Sequence, residues 1–366
     1  MVDRLRGFLT GPAEGSLEDF TLRDIPLYVR KLLLGPISPK IPSQFSRLPL
    51  PDRDPHDAAL TMTLFGDIMF WRRMPRTGEG LYARLPSNIS RSDLTLANLE
   101  FPVLPDARPR GFPRFNGTRE YFRRVALPLR PHALSLANNH CLDQGAKGLE
   151  STAELVESEG IAALGVGRGE RQYRLFEIAG TTVALAAYTY STNGRPLPEK
   201  PPVNRLRLNA PGSDGAGLEK LLATVGEMRR AADLVILSLH WGFEFELAPR
   251  DPQVRLAHRL MEAGVDVIAG HHPHVLQPVE SFQAGDGRSC LCFYSLGNWT
   301  SGMLPRCTRV VAAVQVGVSP NEGCTALRSY PLYFDRRGPS FRPLTARAED
   351  RLRQWVPRSL QSAATG

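Results

Sequence analysis

Between residues 60 and 300 the chain repeatedly passes through a short apolar stretch and closes it on a residue that can bind a metal or move a proton. Gly66-Asp67, Asn98-Leu99-Glu100 and Asn138-Asn139-His140 close the first runs. His240-Trp241-Gly242, Gly270-His271-His272-Pro273-His274 and Gly297-Asn298-Trp299 close the later ones. The apolar runs predict strands at 59–65, 93–97, 133–137, 173–178, 182–188, 234–239, 265–269, 290–296 and 310–318. Apolar spacings of three and four predict helices at 148–159, 217–231 and 252–263. Strands alternating with helices of this length form an α/β sandwich. In open α/β sheets ligands bind beyond the carboxyl ends of the strands, which is where these polar residues fall.

Taken singly, each of these residues has a plain structural explanation. Gly66-Asp67 suits a turn or a helix N-cap, Asn139 suits a turn, and His240 suits a hydrogen-bonded core histidine. The His271-His272-Pro273-His274 run resists that treatment, because clustered imidazoles with no acid beside them in sequence are costly to bury unless they bind something. Two carboxylates, one amide and several imidazoles form the nitrogen and oxygen donor set of a divalent ion such as Mn, Fe or Zn. There are enough donors for two ions, with one carboxylate bridging them.

These motifs carry a resemblance. Gly-Asp-x-Met, Asn-Leu-Glu, Ala-Asn-Asn-His-x-x-Asp-x-Gly, His-Trp-Gly-x-Glu and Gly-His-His-Pro-His-Val-Leu-Gln, spread over roughly residues 60 to 300, resemble the CapA (poly-γ-glutamate capsule synthesis) family. That family is a branch of the calcineurin-like metallophosphoesterases. The resemblance implies a four-layer sandwich of two mixed β-sheets flanked by helices, with two metals at the strand ends. It implies Asp67 on the first metal and Glu100 in place of the usual bridging aspartate. Asn139, His240 and His272 would then hold the second metal, with His274 returning to the first. His140 is implied as general acid or phosphate contact, oriented by Asp143, and Arg72 as a contact to an anionic oxygen.

The chain departs from the superfamily pattern in ways that matter. Where the pattern reads Asp-x-His, this sequence has Asp67-Ile68-Met69, so the first metal is one ligand short and is expected to be weakly held or to enter with substrate. Glu100 is one methylene longer than aspartate, and Asn98 competes with it for that corner. His271 competes with His272 as the ligand. Glu244 is expected to hydrogen-bond a ligand histidine, and Asn298 to line the pocket. His258 is expected to be a core or surface residue, and His132 and His271 to support a ligand by hydrogen bonding or to be merely structural.

The rest of the sequence bounds the setting. Of 366 residues, 42% are hydrophobic and 22% charged, the composition of an ordinary globule rather than a disordered chain. Three segments are expected: an N-terminal extension with a proline-rich link over 1–59, a main domain over 60–345, and a tail over 346–366. Residues 24–34 have the pattern of a short basic amphipathic helix packed on the main domain or touching a membrane surface, and 195–202 that of a loop. A formal charge of +8 favours anionic partners, yet the arginines are dispersed and no aromatic–basic interleaving marks a nucleic-acid binder. Five cysteines, an odd number, make no disulfide framework. Cys290 and Cys292 lie within an apolar strand pattern and are expected to be buried and inert. No stretch approaches a transmembrane length, and a cytoplasmic protein without the anchor common in the family is expected. The donor set points to a hydrolase acting on an anionic or peptide-like molecule or polymer. It leaves open a phosphoester or a γ-glutamyl amide, and a non-catalytic accessory role in capsule polymer synthesis.

Overall fold

The computed structural model describes residues 53–74, 80–83, 85, 89, 91–167, 171–195, 197, 202–209, 215–320, 322–337, 339–344 and 350–361, together with 26, 30, 31, 36, 45 and 50. The order of elements is β1 (Leu60–Met69), β2 (Leu94–Glu100), α1 (Arg119–Val125), β3 (Ala133–Ser135), α2 (Gly145–Ser158), β4 (Ala162–Leu164), β5 (Arg174–Ile178) and β6 (Thr181–Thr189). There follow α3 (Ala216–Ala231), β7 (Leu234–His240), α4 (Asp251–Glu262), β8 (Val267–His271), β9 (Val279–Gln283), β10 (Ser289–Phe293) and β11 (Asn298–Thr300). The chain closes with β12 (Val310–Ser319), β13 (Gly323–Asp335), β14 (Ser340–Pro343), α5 (Asp350–Arg353) and α6 (Arg358–Gln361).

The strands form two arms. One runs β4-β3-β2-β1-β12-β13, with β11 on β1 and β14 on β13; the other runs β10-β8-β7-β6-β5, with β9 on β10. The family resemblance implied two sheets, but the ladder is continuous: a single rung, Ser289 opposite Gly323, joins the arms into one mixed sheet. Within each arm the inner strands are parallel, and antiparallel pairs occupy the flanks. Parallel strands are covered on both faces and so read as unbroken apolar runs. All ten residues of β1 and all seven of β7 are buried.

Side-chain alternation sorts the second arm between two cores. Val183, Leu185, Ile236, Val267 and Leu291 join Leu64, Leu96 and Val314 of the first arm in one cluster. Their neighbours Ala184, Ala186, Val235, Leu237 and Ile268 face the other way, onto Leu221, Val225 and Met228 of α3 and Leu256, Leu260 and Met261 of α4. Each fully buried Val, Leu or Met side chain contributes about 1.5–3 kcal/mol, so this two-sided burial fixes the strand directions and hence the edge where their ends converge. Helix α4 opens on Asp251-Pro252, where a missing N–H costs nothing. Gly264 follows its last turn at φ 129°, a conformation that favours glycine.

All nine expected strands and all three expected helices are present, with ends shifted by a few residues. Strands β4, β9, β11, β13 and β14 were not expected. β4 and β11 span three residues each, and β9 and β13 mix polar with apolar residues and are only partly buried. Of the expected helix at 24–34 only Pro26, Arg30 and Lys31 are described, and all three are helical; the rest lies outside the described residues. Most of the expected loop at 195–202 also lies outside them. Within the proline-rich link Phe45 is buried, with its ring edge-on to Tyr294 at 5.6 Å. In the tail, Val356 and Leu360 are buried in the first core. All five cysteines are free and buried. Among the described residues no helix is long and apolar enough to cross a membrane.

Candidate metal centre

Strand register brings the polar residues to one edge. Asp67 on β1 lies opposite Asn98 on β2 and Asn298 on β11, and Met69 lies opposite Glu100. In the second arm His240 on β7 pairs with His271 on β8 and with Thr189 on β6. Two glycines permit the close approach of these strand ends. A Cβ at Gly66 would lie 2.2 Å from the Gly297 carbonyl oxygen, and one at Gly270 would lie 2.2 Å from that of Tyr294. The loop beyond β8 is also unusual: His272 and His274 have φ of 100° and 58°. Left-handed backbone at bulky residues is disfavoured and concentrates at functional sites.

The side chains interlock across the two arms. Asp67 Oδ1 accepts from Asn98 Nδ2 and pairs with His271 Nδ1, both at 2.9 Å. Its Oδ2 accepts from the His272 backbone N–H at 3.2 Å and lies 3.3 Å from His274 Nδ1. His240 Nε2 faces Asn139 Oδ1 at 3.1 Å. His274 Nδ1 faces Asn298 Oδ1 at 3.0 Å, while its Nε2 and His240 Nε2 each lie 3.7 Å from Glu100 Oε1. Asp67, Glu100, Asn139, His240, His272 and His274 thus form one buried knot, each at most 1% exposed.

Part of that knot lacks partners. Neither carboxylate oxygen of Glu100 has a hydrogen bond, nor do His271 Nε2 and His272 Nδ1. Buried polar atoms are almost always paired, so orphaned donors that converge fit a bound cation. Donor atoms of Asp67, Glu100 and His240 lie within 4.8 Å of one another, as do those of Glu244, His272 and His274. Of the competing pairs, His272 rather than His271 enters such a group. Asn98 is hydrogen-bonded to Asp67 and Asn138, whereas neither oxygen of Glu100 has a hydrogen-bond partner.

Electrostatics follow burial. Desolvation pushes the Glu100 carboxyl well above its usual range, with the negative charges of Asp67 and Glu244 adding to it. Burial also tends to raise Asp67, but its contacts with His271 and His274 outweigh that and hold it well below. His240 and His272 are held well below 6.5 by burial and by neighbouring histidines. Burial alone would lower His274, yet Glu100 and Asp67 carry it up to about 10.

Beside the knot a cavity of about 530 Å³ is lined by Met69, His140, Glu244, His274 and the arginines Arg72, Arg73 and Arg336. His140 Nδ1 is held by Asp143 Oδ2 at 2.7 Å, and Phe115 stands edge-on to the ring at 4.6 Å. Asp143 Oδ2 also accepts from the Phe115 backbone N–H, which fixes the carboxylate. Arg72 is exposed at the mouth; Arg336 lies over Trp71 at 5.1 Å. His132 and His258 lie away from the knot, on Thr95 N–H and Glu280 respectively.

Three neighbours escaped the sequence reading. Tyr190, just beyond β6, places its hydroxyl 3.0 Å from His272 Nε2. Asn193 reaches His140 Nδ1 at 3.5 Å. Arg336 comes from the far turn after β13. Only Tyr190 carried a sequence signal, as a polar-tipped residue two places past an apolar strand.

Residues 61–303 match the family described as "Bacterial capsule synthesis protein PGA_cap". The chain is 28% identical to the PGA biosynthesis protein CapA of Bacillus subtilis (strain 168) over 276 residues, 72% of this chain and 69% of that one. It is equally 28% identical to the capsule biosynthesis protein CapA of Bacillus anthracis over 304 residues, 78% of this chain and 70% of that one. A probable polyglutamine synthesis accessory protein of Mycobacterium tuberculosis is 31% identical over 164 residues, 42% of each chain. Among solved structures, a hypothetical protein from Thermus thermophilus aligns with a TM-score of 0.46 at 15% identity, over 74% of this chain and 98% of that one. A 5'-nucleotidase precursor from the same organism aligns with a TM-score of 0.44 at 16% identity, over 77% and 56%. From the span of the family match, the chain belongs to the bacterial capsule synthesis protein PGA_cap family.

Proposed function

We propose that this protein is a metal-dependent hydrolase whose donors are Asp67, Glu100, Asn139, His240, His272 and His274. In this reading the two arms and their helices form the four-layer arrangement of metallophosphoesterases. One observation carries the proposal: the Glu100 carboxylate is fully buried, has no hydrogen-bond donor, and faces imidazoles of His240 and His274 at 3.7 Å. An ionised group so placed costs several kcal/mol unless a cation compensates it. The donor set suits Mn, Fe or Zn, and a pair of such ions would supply a water of lowered pKa and neutralise charge on the scissile group.

The chain's own groups complete the chemistry. His140, with Nδ1 engaged by Asp143, has Nε2 to deliver a proton to a leaving oxygen or nitrogen. Arg72, with Arg73 and Arg336 on the same cavity, binds an anionic group of the substrate. A phosphoester and a γ-glutamyl or peptide amide both meet these requirements. The names of the relatives favour a second reading, a non-catalytic accessory of capsule polymer synthesis. The His140–Asp143 pair favours catalysis, since a purely structural ion gains nothing from an acid beside it.

Metal analysis of purified protein, with hydrolysis of a generic phosphodiester and of a γ-glutamyl peptide, separates these cases. A hydrolase binds metal and turns over one substrate, loses both with His272→Ala, and with Asp143→Asn keeps metal while activity falls about 10²–10⁴-fold. Bound metal without turnover of either substrate favours the accessory role. No metal under metal-replete conditions rules out both metal-based readings.

A further inference from the structure

We infer that Glu244 is itself a metal ligand, joining His272 and His274 in the second donor group and supplying what Met69 cannot. This deepens the two-ion reading above and rests on it. A thioether suits soft ions rather than Mn, Fe or Zn, so the strand position that resembles a metal-binding histidine in the superfamily offers no useful donor here. Met69, Glu244 and His274 all line the same cavity. Donor atoms of Glu244, His272 and His274 lie within 4.8 Å of one another.

The placement of Glu244 is enforced from both sides. Upstream, Trp241 is fully buried with its indole N–H on the Tyr294 carbonyl at 3.1 Å. Gly242 exchanges two hydrogen bonds with the Asn209 side chain, at 2.8 and 2.6 Å. Downstream, the Phe245 backbone N–H donates to the Pro273 carbonyl at 2.9 Å, which ties the residue after Glu244 to the peptide between His272 and His274. Phe245 adopts φ 59° to make that contact. Beyond it, Glu246 is anchored by Lys31 and Arg250. A strained, clamped backbone around one carboxylate holds that carboxylate in register with the two histidines.

A second observation points to a ligand at this place. His272 is 1% exposed, its Nδ1 has no partner, and its Nε2 is taken up by the Tyr190 hydroxyl. A carboxylate beside such an imidazole is how an N/O site for a divalent ion is assembled. With Asp67 and Glu100 in the other group, a third carboxylate also offsets more of the charge that two divalent ions bring into a buried site. The negative charge of Glu244 already acts on both Glu100 and His274.

The test is metal stoichiometry and chelator competition on the full chain, for wild type, Glu244→Gln and Glu244→Asp, with Mn²⁺ or Zn²⁺ as probe. Circular dichroism and urea unfolding of the chelated proteins verify that each variant is folded. Wild type is expected to hold two ions per chain, Glu244→Gln to lose one outright, and Glu244→Asp to regain it at lower affinity. Two ions in Glu244→Gln, weakened by no more than the roughly 10–100-fold of an outer-sphere partner, overturn the assignment while leaving the two-ion site intact. No metal in wild type defeats the site itself, and the assignment with it. If Glu244→Gln is unfolded, Glu244→Asp alone decides: unchanged affinity for both ions counts against Glu244 as a ligand, and selective weakening of one supports it.

Discussion

Substituting Glu100 by glutamine should change the metal-free protein little and remove much of the stability that metal confers. In the structure both oxygens of this carboxyl are buried without a donor, and the side chain is 0% exposed. The imidazoles of His240 and His274 stand 3.7 Å away, beyond hydrogen-bond reach, and burial pushes the carboxyl well above its usual range, towards its neutral form. A neutral carboxyl and an amide of the same shape leave similar unpaired groups in such a site, so the metal-free change should stay within about 1 kcal/mol. Metal separates the two proteins. At a free concentration of about 100 times Kd it stabilises wild type by about 2.7 kcal/mol per ion, a gain that the amide largely forfeits. The difference between variant and wild type should thus change by roughly 2–3 kcal/mol between chelator and saturating Mn²⁺ or Zn²⁺. Urea unfolding monitored by tryptophan fluorescence, run in both conditions, measures it. Equal stabilisation of both by metal refutes the reasoning, as does a chelated Glu100→Gln protein several kcal/mol less stable than chelated wild type.

Two further outcomes follow from the same geometry. Because His272 is held well below its ordinary value by burial, the unfolded chain binds more protons just below pH 6.5, so ∂ΔG/∂pH is positive there. Its contribution is complete above about pH 6.5 and is lost as pH falls towards its folded value; chelated His272→Gln should lose less stability than wild type between about pH 6.5 and 5, and identical slopes would contradict this. Gly66→Ala places a methyl group 2.2 Å from the Gly297 carbonyl, where only backbone can yield, and should cost about 3 kcal/mol, the upper end for overpacking. Gly111→Ala meets nothing within 4 Å and serves as the control; equal urea midpoints for the two variants would count against a steric role for Gly66.

Much of this protein can be read along the chain because parallel strands buried on both faces leave unbroken apolar runs. That is why β1, β2, β6, β7 and β8 were legible, and why the polar residues that end them stood out. The amphipathic spacing of α2, α3 and α4 was legible because each of these helices buries one face. Partly buried strands such as β9 and β13 carry no such run and were missed.

The site divides along the same line. From sequence alone, Asp67, Glu100, Asn139, His140, His240 and the His271–His274 run could be placed at strand ends, since two-fold alternation and strand length fix where an apolar run must stop. Which of them meet was decided elsewhere. That His272 rather than His271 enters a donor group goes with a left-handed turn at φ 100°, and that Asn98 rather than Glu100 is hydrogen-bonded depends on which neighbours it meets. The grouping of Glu244 with His272 and His274 depends on a backbone clamp between loops some thirty positions apart. Tyr190 reaches His272 through parallel pairing of β6 with β7 and of β7 with β8. The sequence determined the polar residues and the edge they occupy, because these follow from local periodicity. The tertiary structure alone decided their partners, because register and loop closure are properties of the packed arms and of no single segment.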